Sequence, residues 1–314
     1  MPAESVAATS HLQTPQITPV SMWERCSFAA LRVAVYGVAR CLTLPGLYRC
    51  GQVFGFLEWA VNYRRRRRFA ARLRSLLGDG LAATDVRKAT LDHFIRVRCD
   101  KIIYLILDLL PREKMARRFE IVNRHLLDEA LARGRGAYIA LSHHGAHHVA
   151  ALMMSLLGYK VAGVRDRREG AIRRYIQSMY EQKYDELRNA RIIYSDSFPR
   201  DIYRCFRDNF TLGSALDIQR RRDAHLKTAE VDFFGGKHRF LTGTIQIALR
   251  CGATILQGFI ISDANFRYRF ELHGPLADPS NAEETPELLD QIMRRYATNI
   301  ERYIRHYPAQ ISKL

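Results

Sequence analysis

Four histidines stand within six consecutive positions, in the stretch Ser-His-His-Gly-Ala-His-His that begins at residue 142. An apolar β-like run precedes the stretch and an apolar helical pattern follows it, so His143 should end a strand and His148 should open a helix. Reactive groups of open α/β sheets collect at such strand ends. A histidine near a helix N-terminus can stay neutral, because the helix dipole disfavours the imidazolium. The spacing predicts that His143 is a general base and that His148 orients its other ring nitrogen.

A metal site is the main alternative for these histidines. His144 and His148 are four residues apart and could share one helix face, as two ligands of a zinc site do. The third ligand or catalytic Glu that such motifs carry at fixed spacing is missing. We therefore expect no metal here, and histidines without a chemical role stay a further alternative.

Short strands alternate with amphipathic helices after residue 135. β-like runs occupy residues 137–141, 160–164, 191–194, 211–216, 253–261 and 266–272. Helical periodicity covers residues 89–110 and 286–306, and a proline stands close after each of them. The pattern predicts an α/β fold whose mixed, largely parallel sheet is flanked by helices and closed by an antiparallel pair.

The region before residue 75 has the pattern of a membrane-associating segment. Residues 23–63 are apolar, but Arg32, Arg40 and Arg49 interrupt them, so no uncharged run approaches the ~20 residues of a spanning helix. Five consecutive arginines follow at 64–68. Amphipathic helices beside a basic cluster hold proteins on anionic lipid. A solvated helix face or a nucleic-acid patch is the alternative.

These patterns predict three parts of the chain. They are a disordered tail over residues 1–22, a helical membrane-associating region over 23–112, and an α/β domain over 113–314 that packs with the helical region as one unit. The tail lacks the basic and apolar regions of a secretory signal, and the six cysteines form no C-x-x-C pair. We therefore expect the protein on the cytoplasmic side of a membrane, peripherally or shallowly anchored.

The net charge of +17, from 49 Lys and Arg against 32 Asp and Glu, indicates a negatively charged partner. Anionic lipid, an acidic carrier protein and nucleic acid all meet this requirement. No helix-turn-helix, zinc-finger or RRM signature accompanies the charge, so we do not expect nucleic acid as the partner.

Further blocks carry a family resemblance. They are LRNARIIY with Arg188, ALDIQ with Asp217, VDFFGGKHRFLTG with Phe234 and Gly235, and YIRHYPAQI near the end. With the histidine stretch, in which His143 stands two residues before a glycine, they span residues 25 to 312. In order and approximate spacing, the chain resembles the lipid A biosynthesis acyltransferases, the lauroyl and myristoyl transferases of the lysophospholipid-type acyltransferase superfamily.

The resemblance implies acyl transfer without a cofactor at the cytoplasmic face of the inner membrane. His143 would deprotonate a glycolipid hydroxyl, whose oxygen would attack an acyl thioester of acyl carrier protein or coenzyme A. Arg188 would stabilise the oxyanion or hold acceptor phosphates, with a surface helix-end cation as the alternative. Phe234 and Gly235 would border the acyl groove, with core packing as the alternative.

A second basic cluster would dock the acidic carrier protein and the acceptor phosphates. Its members are Arg165, Arg167, Arg168, Arg173 and Arg174. A solvated helix face explains them equally well.

The sequence departs from the family pattern at two places. His148 stands where the family has Glu or Asp, and it brings no negative charge to His143. Asp217 or Asp166, each after another predicted strand, could substitute if the sheet brings the strand ends together. Residues 309–312 stand where the family's tail usually carries tryptophans, a change that we expect to affect only packing or membrane contact.

Two alternatives to this function remain open at the level of sequence. The acceptor could be another membrane lipid, such as a mannoside glycolipid or an aminolipid, because the same motifs serve several acceptors. The chain could also be a non-catalytic lipid-binding relative that lost its activity when His148 replaced the family's acid.

Overall fold

The computed structural model describes residues 21–78, 82–165, 171–194, 199–217, 226–277 and 284–312, except for the side chains of His148 and of residues 171–173. The predicted tail therefore lies almost wholly outside the described residues. Ser21 is the N-cap of the first helix, which begins at Met22, the last residue assigned to that tail.

Nine strands are described. They are β1 (Phe119–Val122), β2 (Ala137–Leu141), β3 (Val161–Arg165), β4 (Arg191–Tyr194), β5 (Thr211–Ala215), β6 (Thr228–Phe233), β7 (Gly236–Leu241), β8 (Thr254–Asp263) and β9 (Arg267–Ala277). Seven of them form one sheet in the order β1-β9-β8-β2-β5-β3-β4, and β6 and β7 form a separate hairpin. Within the large sheet every neighbouring pair is parallel except β8 with β9. The predicted α/β fold is confirmed, including its closing antiparallel pair.

The parallel strands β2, β3, β4, β5 and β8 all end at the same edge of the sheet, which we call the carboxyl edge. Their first residues lie at the opposite, amino edge. In open α/β sheets the carboxyl edge is the place where ligands bind.

Twelve α-helices surround the sheet in the described ranges. They are α1 (Met22–Cys41), α2 (Leu44–Val61), α3 (Tyr63–Leu77), α4 (Ala83–Ile106), α5 (Arg112–Ala116), α6 (Arg124–Ala132), α7 (Ala150–Leu156), α8 (Ala171–Lys183), α9 (Asp185–Arg188), α10 (Arg200–Arg207), α11 (Gly243–Arg250) and α12 (Pro286–His306). The last helix has the predicted bounds, with Thr285 as its N-cap and a proline in its first turn.

Two hydrophobic cores cover the two faces of the sheet. Tyr138 and Ala140 of β2 enter one core, together with α10, α11, α12 and the hairpin. Ile139, between them, enters the other core with α4, α6, α7 and α8. Because successive side chains of a strand point to opposite faces, a strand covered on both sides is mostly apolar. β2 is accordingly a continuous apolar run, and the buried part of β8 is apolar apart from Thr254 and Gln257.

The six predicted strands are all present, and their ends shift by at most two residues, except that β9 continues to Ala277. The sequence analysis did not predict β1 or the β6–β7 hairpin. β1 is a four-residue edge strand, β6 alternates apolar and polar residues, and β7 begins with a glycine and three basic residues. Phe234 and Gly235 connect the hairpin with φ of 50° and 74°, which is the backbone of a tight two-residue turn.

Helix α2 packs closely on α4 at two glycines. A Cβ at Gly55 of α2 would lie 2.4 Å from the Cα of Ile95, and one at Gly51 would lie 2.7 Å from Cys99 Sγ. The two helix backbones therefore approach closely, and the apolar side chains of α2 on the other side face outward. None of the helices in the described ranges combines the length and apolarity needed to cross a bilayer.

Candidate active site

The loop after β2 carries the histidine stretch to the carboxyl edge. Gly145 has a φ of 71°, and a Cβ there would lie 1.6 Å from the carbonyl oxygen of Ile260 in β8. The Gly145 N–H donates to the Gln310 carbonyl at 2.6 Å, and the Ala146 N–H donates to the Ile260 carbonyl at 3.1 Å. The position therefore requires glycine, and backbone hydrogen bonds hold the loop from two sides.

His143 and Asp217 form a bidentate contact at the carboxyl edge. Asp217 follows β5, the parallel neighbour of β2, so the two strand ends bring these residues together. The His143 ring Nδ1 lies 2.7 Å from Asp217 Oδ1, and the backbone N–H of His143 donates to Oδ2 at 2.7 Å. The side chain of Asp217 is 0% exposed and that of His143 is 14% exposed. A buried carboxylate from a neighbouring strand thus contacts His143, whereas position 148, where the family has an acid, carries a histidine.

The carboxylate determines which nitrogen of His143 carries the proton. A carboxylate accepts hydrogen bonds, so Nδ1 donates and Nε2 of the neutral ring keeps its lone pair. This is the tautomer that a general base needs, because Nε2 is then the atom that accepts a proton.

The neighbouring histidines have different environments. His144 is buried, its Nε2 donates to the Tyr307 carbonyl at 3.2 Å, and burial together with the charge of Arg96 lowers its pKa to about 3. The ring of His147 meets that of His143 edge-on, with centroids 4.8 Å apart. His148 lies in a 3₁₀ turn at residues 147–149, and its side chain is not among the described atoms. Its proposed contact with His143 stays a prediction.

Two side chains that the sequence analysis did not select also face Asp217. Burial lowers the pKa of Arg72 in α3 and that of His238 in β7, and the Asp217 carboxylate raises both. Arg72 lies on the same helix as the five consecutive arginines, four residues after the last of them. His238 stands three residues after Gly235. Neither position has a local signal, because α3 and the hairpin reach Asp217 only through tertiary packing.

Arg188 lies at the amino edge. It ends α9, three residues before β4 begins, so the length of the sheet separates it from His143. Its Nε donates to the Glu181 carbonyl at 2.9 Å and its Nη1 pairs with Asp185 at 2.9 Å. These contacts cap the last turn of α8. The structure therefore does not bring Arg188 to His143.

The second basic cluster is described only in part. Arg165 ends β3 at the carboxyl edge and donates to Gln177 of α8. Arg174 lies on α8 with its side chain partly buried. Asp166, Arg167 and Arg168 lie outside the described residues, and of Arg173 only the backbone is described.

Phe234 and Gly235 form the tip of the hairpin against α12. The Phe234 N–H donates to Glu301 at 2.5 Å, and the Arg305 guanidinium lies 4.9 Å from the Phe234 ring centroid. The Phe233 and Phe234 rings meet edge-on. Phe233 is buried in the core, whereas the partly buried Phe234 packs beside it.

No group of three or more metal-binding side chains occurs within the described ranges. His144 and His148 were the candidate pair. The described nitrogen contact of His144 is to a backbone carbonyl.

A model of the family "Bacterial lipid A biosynthesis acyltransferase" matches residues 22–312, nearly the whole chain. The chain belongs to this family. It is therefore an acyltransferase by family, and both the β2 loop and Asp217 lie inside the matched residues.

The chain is also similar to chains of solved structures. The crystal structure of the 1-acyl-sn-glycerophosphate (LPA) acyltransferase, PlsC, from Thermotoga maritima matches with a TM-score of 0.36 and 12% identity, over 79% of this chain and 98% of that chain. No curated protein matches the chain. The assignment rests on the family model.

Proposed function

We propose that the protein transfers a fatty acyl chain from an acyl-carrier-protein or coenzyme A thioester to a hydroxyl of a lipid A precursor or a similar glycolipid. The observation that carries the proposal is the contact between His143 and the buried Asp217, which leaves Nε2 of His143 ready to accept a proton at the carboxyl edge.

The geometry supports a general-base mechanism. Nε2 of His143 takes the proton of the acceptor hydroxyl as its oxygen attacks the thioester carbonyl. The tetrahedral intermediate collapses, the C–S bond breaks, and the imidazolium returns the proton to the thiolate. Throughout these steps the Asp217 carboxylate holds the ring by Nδ1 and offsets its positive charge.

Asp217 favours an enzyme over a lipid-binding relative that has lost its chemistry. The second possibility depended on the missing acid at His148. A carboxylate at 2.7 Å from Nδ1 supplies the missing charge from another strand. A group that is completely buried beside a reacting histidine is also costly to keep without a role.

Arg72 is a better candidate than Arg188 for the anionic parts of the substrates. Its guanidinium is partly buried and interacts with Asp217. The guanidinium of Arg188 instead donates to a backbone carbonyl at the end of α8, at the other edge of the sheet. A partly desolvated guanidinium that interacts electrostatically with Asp217 is a candidate to bind an acceptor phosphate or the developing oxyanion.

The first two helices support a peripheral contact with an anionic membrane. Large apolar side chains are exposed along α1 and α2, among them Trp23, Val33, Phe54 and Val61. The five arginines of α3 follow directly. Apolar residues that enter the headgroup region beside cations that meet anionic lipid form an interfacial anchor. Arg165 and Arg174 are candidates for docking the acidic carrier protein.

Acyl transfer to glycolipid tests the proposal. Labelled acyl-carrier protein or acyl-coenzyme A is mixed with lipid A precursor in vesicles that contain anionic phospholipid, and the acylated product is measured by mass spectrometry. We expect product with the native protein and none above background with His143→Ala. Mannoside glycolipids and aminolipids are offered in parallel. Transfer to only one of these lipids would identify it as the acceptor in place of the lipid A precursor. No transfer from either thioester to any acceptor would overturn the proposal.

A further inference from the structure

Residues 308–312, which we call the 308–312 segment, run along the loop that carries His143. The Gly145 N–H donates to the Gln310 carbonyl at 2.6 Å, and the Ser312 N–H donates to the His143 carbonyl at 2.9 Å. Ser312 Oγ donates to the Gly145 carbonyl at 3.2 Å. Ile311 pairs with His144 as an antiparallel bridge. The segment was expected to affect only packing or membrane contact, but it contacts both sides of the catalytic loop.

The 308–312 segment is itself held by α4. The Ala309 carbonyl accepts two hydrogen bonds, from Arg96 Nε at 3.0 Å and from His93 Nδ1 at 3.2 Å. Gln310 Nε2 donates to the Ser262 carbonyl of β8 at 3.0 Å. The segment is therefore fixed on one side by α4 and on the other by β8.

Arg96 belongs to a buried polar cluster. Its Nη1 donates to Asp100 at 3.0 Å, and the same carboxylate accepts from Ser262 Oγ and Tyr268 Oη, each at 3.1 Å. Arg96 is 9% exposed. The mechanism proposed above does not use any of these groups. Burial of an ion pair often costs as much free energy as the pair returns, so stability alone is a weak reason for this arrangement.

We propose that Arg96 is a positioning residue that sets the place of His143 through Ala309 and the 308–312 segment. The path has three steps, each made of hydrogen bonds: α4 to Ala309, the segment to the β2 loop, and the loop to the His143–Asp217 pair. Loss of the Arg96 hydrogen bond leaves only His93 of α4 on the Ala309 carbonyl and loosens the segment, while the contact with Asp217 remains. His143 then keeps its tautomer but loses its position relative to the substrates, and catalysis is sensitive to displacements of about 1 Å.

Amide hydrogen exchange tests the path without any substrate. Arg96→Met removes the charge at similar length, and Arg96→Lys keeps a donor. Arg32→Met is the matched control, because Arg32 also pairs with a partly buried Asp and a Tyr, Asp108 and Tyr36. We expect exchange in the peptide over residues 142–149 to rise about tenfold in Arg96→Met, to rise less in Arg96→Lys, and to stay native in Arg32→Met.

Kinetics form the second arm, which depends on the proposed function. Arg96→Met should lower kcat about tenfold or more with KM within about threefold, and Arg96→Lys should recover most of kcat. If Arg96→Met does not fold, Gln310→Met releases the segment from Ser262 and carries the same two expectations. Native exchange in residues 142–149 of either folded variant would overturn the proposal. If exchange rises in Arg96→Met but the native protein transfers no acyl chain, the positioning role of Arg96 stands and the proposed function is rejected.

Discussion

The two edges of the sheet use charged residues in different ways. At the carboxyl edge the Asp217 side chain is 0% exposed, and both its oxygens bind His143. At the amino edge Arg188 and Asp185 form a pair that is 59% and 84% exposed. Exposed pairs contribute roughly 0 to 1 kcal/mol, whereas a buried carboxylate must be compensated by its partners. Both Asp217 and Arg188 come from blocks of the family resemblance, and only burial and strand direction separate their roles.

The largest expected effect comes from Asp217→Asn, compared with Asp185→Asn. An amide at position 217 cannot offset the imidazolium and can stabilise the wrong tautomer of His143. The corresponding change in a serine protease triad lowers kcat by about 10⁴, and we expect a loss of that order in acyl transfer. Asp185→Asn should stay within about twofold of the native rate. Equal losses of acyl-transfer rate in Asp217→Asn and Asp185→Asn would contradict the different roles assigned to the two edges.

The buried histidines of the carboxyl edge should make the protein sensitive to acid. Burial lowers the pKa of both His93 and His144 to about 3, so between about pH 6.5 and 3 the unfolded state binds more protons than the folded state. The free energy of unfolding should therefore fall as pH falls, by about 1.4 kcal/mol per pH unit for each histidine. His144→Asn should lower this slope by about 1.4 kcal/mol per pH unit in urea titrations at pH 4 to 6. His125→Asn, an exposed position in α6, should keep the whole slope, and a native slope in His144→Asn would contradict the account.

The smallest expected effect is that of Arg188→Ala. Its guanidinium caps α8 and pairs with Asp185 on the surface, so the free energy of unfolding should fall by about 1 kcal/mol or less. We expect kcat and KM for acyl transfer to stay within about threefold of native values. Arg72→Ala, at the carboxyl edge, should raise KM for a phosphorylated acceptor about tenfold or more. A larger kinetic effect of Arg188→Ala would show that a residue of the amino edge takes part in acyl transfer and would contradict the account.

Much of the fold could be predicted because local patterns determine it. β2 has its predicted bounds because a strand buried on both faces is a continuous apolar run, and α12 begins and ends beside prolines. β4 also has its predicted bounds, although it is an edge strand in which only Ile193 is buried. The short β1 and the β6–β7 hairpin could not be predicted, because charged residues interrupt their apolar positions.

The candidate site was predictable to the extent that strand order determines it. His143 and Asp217 follow adjacent parallel strands, which is the condition under which the sequence analysis offered Asp217 as the substitute acid. Arg72 and His238 could not be predicted, because long-range packing of α3 and the hairpin brings them to Asp217. Arg96 acts over an even longer separation, on the Ala309 carbonyl.

The most direct test of the central claim is a double-mutant cycle on acyl transfer. The rates of the native protein, His143→Ala, Asp217→Asn and the double variant are measured with one thioester donor and one glycolipid acceptor. If Asp217 acts through His143, the double variant should be no slower than His143→Ala alone, within about threefold. Losses that multiply in the double variant would show that the two residues act independently and would contradict the His143–Asp217 pair as the catalytic unit.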